Sequence, residues 1–134
     1  MTRDNRLANA SSEIASAEDA VRVARAALAL GAVRDALSRA YYAAFHAARA
    51  LVLLQGLEPK THGGLSRLFN EHVIRSGQLE PRFNLVLSRL QSYRQSSDYA
   101  YDFAVGAEDA AHEIDAAAEL LERARALVEA ARTA

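Results

Sequence analysis

Apolar positions recur along this chain in steps of three and four, the spacing that gathers them on one side of a helix. Ile14, Ala17, Val21, Ala24 and Leu28 form one such stripe and predict a first helix over about residues 11–30. A second is predicted over about 33–55. A third follows over about 61–76, with Thr61 placed to cap its first turn. The fourth begins near Pro81, whose fixed φ suits a helix start, and runs to about Ser97. Phe83, Val86, Leu87, Leu90 and Tyr93 are its apolar set. The fifth covers about 107–132, with the stripe Ile114, Ala117, Leu121, Ala124 and Val128. Glu108 and Asp109 in its first turn complement the helix dipole. Gly31, Gly56, Gly77 and Gly106 stand where helices are expected to stop, and Gly63 and Gly64 fall in a loop or a first turn. No strand-like alternation of β-branched residues occurs. Short connections between long helices favour antiparallel neighbours. The expectation is therefore all-α: one domain over 1–134, an up-and-down bundle of about five helices, with 1–10 a flexible N-terminal segment.

Composition sharpens this picture. The 134 residues suffice for one domain with a real core. Thirty are alanine, and none of these lies between Leu51 and Tyr99. Small side chains let backbones approach closely, so helices one, two and five are expected to form the tight part of the bundle. The lack of cysteine excludes disulfides and thiolate metal sites. No apolar run approaches the roughly 18 residues of a membrane span, and none follows the first residues as a secretory signal would. A cytoplasmic protein without membrane contact is expected. The net charge of −1, from 16 basic and 17 acidic residues, argues against a duplex-DNA binder, which needs a strong positive excess.

Two segments depart from plain bundle chemistry. On the second helix, Asp35, Arg39, Tyr42, His46 and Arg49 share a narrow polar strip, while Tyr41, Phe45 and Val52 fall on a second apolar flank. The strip can be a solvated face with snorkelling arginines and an Asp35–Arg39 pair. It can equally line a site for an anionic ligand or a subunit interface, because guanidinium forks and a stacking ring suit phosphate and base. At the end of the fourth helix, Arg94, Ser97, Asp98 and Tyr101 lie close on one face if the segment is helical. An Arg94–Asp98 pair with aromatics closing the bundle end is the plainer account of that segment.

Taken together, the two segments resemble the HEPN family, and within it the compact prokaryotic single-domain branch (UPF0332-like). The residues that carry the resemblance begin with Asp35, Ser38, Arg39 and the run Tyr41-Tyr42-Ala43-Ala44-Phe45-His46-Ala47-Ala48-Arg49-Ala50-Leu51. Gly56, Thr61-His62, Gly64-Leu65, Phe69 and Leu90-x-x-x-Arg94-x-x-x-Asp98-Tyr99 follow. The match reaches from roughly Glu13 into the last helix. It implies a five-helix bundle that forms a homodimer, with a cleft for nucleotide or RNA at or near the dimer interface. It implies cleft residues Arg39, Tyr42, His46, Arg49, Arg94, Asp98, Tyr99 and Tyr101. It also implies a role in toxin–antitoxin or defence systems, often beside a small nucleotidyltransferase protein partner. Ribonuclease members of the family carry Arg, four to six residues, then His, and cleave RNA without metal.

Here four residues lead from Arg94 to Tyr99, not to histidine. A phenol with an ordinary pKa near ~10 is a poor base at neutral pH. His46, on the polar strip, is the first substitute, followed by His62 and His72, with His112 last. If catalysis exists, Arg94 and His46 are its candidates. Tyr101 matches the family's tyrosine that can serve as a modification target. No phosphate loop and no His-Glu-x-x-His occurs. Glu71-His72 and His112-Glu113-x-Asp115 lack a third ligand at helical spacing. No metal or other cofactor is expected. Three readings stand: a nucleotide- or RNA-binding module, a metal-independent ribonuclease with a degenerate motif, and a structural dimerisation domain.

Overall fold

The computed structural model describes residues 1–99 and 105–134, with Ser96 to Tyr99 as helical backbone only. Among the described residues five α-helices follow one another: α1 (Arg3–Ala29), α2 (Val33–Leu54), α3 (His62–Phe69), α4 (Arg82–Tyr99) and α5 (Ala107–Thr133). A π-helical turn, Asn70–Ile74, continues α3. The all-α expectation holds, and the bounds of α2, α4 and α5 fall within a residue or two of the pattern.

Two boundaries differ. The first helix starts at Arg3, so residues 3–10, expected to be flexible, are helical. The Thr2 hydroxyl accepts from the Asn5 amide (3.1 Å) and Asp4 sits in the first turn, a cap that lies ahead of the apolar stripe beginning at Ile14. Ala10 is fully buried, which anchors this extension of about two turns. The third helix changes to π geometry after Phe69, where Arg75 N–H reaches the Asn70 carbonyl five residues back. Val73 and Ile74 are both buried there. Thr61 caps α3 as expected, accepting from Gly64 N–H at 2.8 Å.

Gly31 and Gly56 end α1 and α2 with φ of 78° and 84°, a left-handed backbone that side chains resist. Gly106 behaves otherwise. Its φ is −82° and it opens α5 as the N-cap.

Helix α2 is the centre of the bundle. Ala36, Ala40, Ala43, Ala44, Ala47, Ala48 and Ala50 are all fully buried. It packs most extensively on α1, then on α5, as the distribution of alanine implied. Its remaining side meets larger residues. Leu65 and Phe69 of α3 and Phe83, Leu87 and Leu90 of α4 fill that layer with Leu37, Tyr41 and Leu51. The polar strip of α2 emerges between these two layers. Among the described residues, no helix is long and apolar enough to cross a membrane.

Candidate functional site

Helix α2 presents Arg39, Tyr42, His46 and Arg49 along one edge, and α1 and α4 supply their partners. Arg94 belongs to α4, where Phe83, Leu87, Leu90 and Arg94 follow in steps of four, three and four. The helix therefore aims this guanidinium along its buried stripe, at α2. Arg94 Nη2 donates to the Tyr42 hydroxyl at 2.9 Å. Its Cζ stands 5.5 Å from the centroid of Tyr41 and 5.2 Å from that of Tyr42. Arg39 reaches the same Tyr42 ring, with Cζ 5.0 Å from the centroid. Two guanidiniums thus share one phenol, each within cation–π range.

The next turns of α2 form a second cluster. Glu13 of α1, with its side chain 13% exposed, faces His46 and Arg49 together. Burial raises the Glu13 carboxyl, but hydrogen bonds and charge from His46 and Arg49 outweigh it and hold the group below the usual 4.5. An ionised carboxylate only accepts, so His46 Nδ1 donates to Oε2 (2.6 Å) and Arg49 Nη1 donates to Oε1. In its neutral form His46 then carries its lone pair on Nε2.

A third cluster lies beneath. Tyr41, read from the sequence as part of an apolar flank, is buried, and its hydroxyl bonds Nδ1 of His62 on α3. Burial pushes its pKa up to about 12, with Arg94 opposing and Tyr42 adding to the rise. The His62 ring stacks on Tyr41 at 5.6 Å and approaches Phe45 at 4.8 Å. Phe45 in turn meets His46 edge-on at 5.3 Å.

These contacts border two open depressions. One, of about 250 Å³, is lined by Arg39, Tyr42 and His46 with Ser16, Asp19 and Val23 of α1. The other, of about 310 Å³, is lined by Phe45, Arg49, Lys60, His62 and neighbouring residues.

Of the residues expected in a cleft, Arg39, Tyr42, His46 and Arg94 come together and Arg49 adjoins them through Glu13. The side chains of Asp98 and Tyr99, and Tyr101 altogether, lie outside the described residues. The supposed Asp35–Arg39 pair is replaced by Arg39 on Tyr42. His72 stands 3.9 Å from Glu71 on the π-helical turn, and His112 is exposed on α5. Neither lines these depressions. Among the described residues, no three His, Asp or Glu side chains converge as metal ligands. Sequence reasoning missed Glu13. Its one signal was a carboxylate directly beside the Ile14 stripe, where a charge is costly without a partner.

The Glu13 cluster has a pH signature. A carboxyl held below its usual pKa stabilises the fold fully above that usual value and ceases to as pH falls through its depressed one. Glu13→Gln is expected to lower the unfolding free energy by about 1–2 kcal/mol at pH 7, a difference that shrinks once the pH drops below 4.5. Urea titrations at pH 7 and in the acid range check this. A gap that stays constant over the two would exclude ionised Glu13 as its source.

Comparison with known proteins points in one direction. A family model described as the HEPN domain matches residues 10–133. The UPF0332 protein PH1297 of Pyrococcus horikoshii is 45% identical over 62 residues, which cover 46% of this chain and 44% of that protein. A Methanocaldococcus jannaschii protein named "Putative toxin MJ0605" is 38% identical over 69 residues, 52% of each chain. A UPF0332 protein of Thermotoga maritima is 30% identical over 67 residues, 50% of this chain and 51% of its own. The chain thus spans about half the length of the curated relatives it matches.

Proposed function

The chain belongs to the HEPN domain family, and from that premise we propose that it is a toxin-type module that binds nucleotide or single-stranded RNA on the α2–α4 face. The observation that carries this reading is the convergence of Arg39 and Arg94 on Tyr42. A guanidinium fork matches phosphate oxygens in pairs. A partly exposed tyrosine reached by two forks offers a ring on which a base can stack. A structural domain needs no such convergence. The toxin role draws on the Methanocaldococcus relative's name. A homodimer completing the cleft, a nucleotidyltransferase partner and a cytoplasmic location belong to the same proposal.

One observation favours a second reading, metal-independent RNA cleavage. Glu13 holds His46 through Nδ1, which leaves Nε2 as the basic nitrogen beside the depression that Arg39 and Tyr42 line. Such a ring can take the proton from a ribose 2′-hydroxyl as that oxygen attacks the adjacent phosphorus, breaking the P–O5′ bond to leave a 2′,3′-cyclic phosphate and a 5′-oxygen that takes a proton from water.

Fluorescence anisotropy with labelled single-stranded RNA, alongside competition by AMP, tests the first reading. Binding that Arg39→Ala weakens supports it. If neither AMP nor RNA binds the wild-type protein, the reading fails. Incubating the same RNA in EDTA separates the second: cleavage lost in His46→Ala establishes it, and intact RNA excludes it.

A further inference from the structure

We infer that the α2 face carries a second anion subsite, formed by Arg49, Lys60 and His62 around Phe45, so that its ligand is a single-stranded oligonucleotide longer than one nucleotide. This rests on the binding reading above and deepens it.

The 310 Å³ depression bordered by these residues lies between α2, the loop before α3 and the first turn of α3. Three of its walls can be cationic, and its aromatic wall, Phe45, is only partly buried. Lys60 is exposed, forms no ion pair among the described residues, and is the chain's only lysine. Arg49 uses Nη1 for Glu13, and its remaining guanidinium donors can still face a phosphate. His62 keeps Nε2 clear of the Tyr41 bond, which engages Nδ1.

The subsite is also continuous with the first. Arg94 covers Tyr41, Tyr41 bonds and stacks on His62, and His62 approaches Phe45, which meets His46. Tyr41 itself is buried, but the partly exposed rings of Tyr42 and Phe45 meet edge-on at 6.4 Å and join the Arg39–Arg94 end to the Arg49–Lys60 end. Arg39 and Arg49 are ten positions apart on one helix, roughly 15 Å at the helical rise. One nucleotide monophosphate, with a single phosphate, cannot meet both ends. A short strand can place one phosphate at each end with bases over the partly exposed rings of Tyr42 and Phe45, the arrangement of cationic track and stacking platform that serves single strands.

The test measures binding of AMP and of oligoadenylates from dimer to tetramer over a range of salt concentrations, with wild-type protein and with Lys60→Ala and Lys60→Glu. Lys60 is an exposed loop residue, so these variants keep the fold. Each lost phosphate contact to a single strand lowers the slope of log K against log salt by about 0.7. The expected result is tetramer binding several-fold tighter than AMP, a slope reduced by that amount in Lys60→Ala, and a larger loss in Lys60→Glu, each change being greater for the tetramer than for AMP, which can still occupy the other subsite. Tetramer affinity and slope that are the same in all three proteins would overturn the second subsite while leaving the first reading intact. Wild-type protein that binds none of these ligands would overturn both.

Discussion

Phe83→Ala is expected to lower the unfolding free energy by about 3–5 kcal/mol, the usual cost of emptying a buried phenylalanine site. Phe83 is fully buried one residue inside α4. Around it, Arg82 and Arg123 bring Cζ to 4.2 and 5.6 Å from the ring centroid. Arg82 grips Glu119 through both oxygens at 3.1 and 2.6 Å, and Arg123 grips Glu80 at 3.0 and 2.9 Å. These pairs look like the clamp between α4 and α5, and their hydrogen bonds depress the Glu80 and Glu119 carboxyls. They are exposed, however, and solvent screening leaves such pairs little net effect. The ring is what decides the stability of this corner. Domains of this kind are stable by about 5–15 kcal/mol in total, so the loss is a large share. Urea unfolding followed by circular dichroism measures it, with Arg82→Ala as the control for the ion pairs. A loss in Phe83→Ala no greater than in the control would refute the argument. The consequence reaches the site, because α4 carries Arg94 on the same stripe three turns further on.

The second large effect is at Arg94 itself. On the proposed reading, Arg94→Ala reduces affinity for short single-stranded RNA about 10- to 100-fold. A hydrogen bond to a charged group is worth about 1.5–3 kcal/mol, and each 1.4 kcal/mol is about tenfold in binding. The side chain has a double role. It donates to the Tyr42 hydroxyl and lies against the rings of Tyr41 and Tyr42, so its removal also takes away a contact that positions the Tyr42 ring. Arg94→Lys restores charge without the planar fork and is expected to recover only part of the affinity. Tyr42→Phe keeps the ring but removes the acceptor, which isolates the positioning role. Anisotropy titrations on variants with native helicity give the comparison. Undiminished affinity in Arg94→Ala would remove this residue from the site.

The physical link between these two predictions is the helix repeat. A stripe read as core, Phe83 to Leu90, continues without a break into a functional cation. Sequence periodicity shows the stripe, yet it treats Arg94 as the point where the apolar pattern ends. Only the neighbouring helix reveals that this end is filled by tyrosine rings, against which a guanidinium can stack.

By itself the sequence determined the number of helices and most of their ends. Periodicity and capping are local, so the bounds of α2, α4 and α5, the Thr61 cap and the glycines after α1 and α2 were legible. Alanine content likewise fixed which helices approach most closely. The run from Arg39 to Leu51, together with Arg94, Asp98 and Tyr99 later in the chain, indicated the family that the match over residues 10–133 shows. What tertiary structure decided is how each helix is rotated against the next, which a repeat of 100° per residue does not encode. Glu13 stands beside an apolar stripe and becomes stable there only because His46 and Arg49, 33 and 36 positions later, supply compensating donors. Tyr41 is apolar by position, yet its hydroxyl finds its partner on α3. The early start of α1 follows the same logic, since Ala10 gains its burial only once the bundle closes over it. Burial of a charge or a hydroxyl depends on groups distant in the chain, and those become neighbours only in the folded protein.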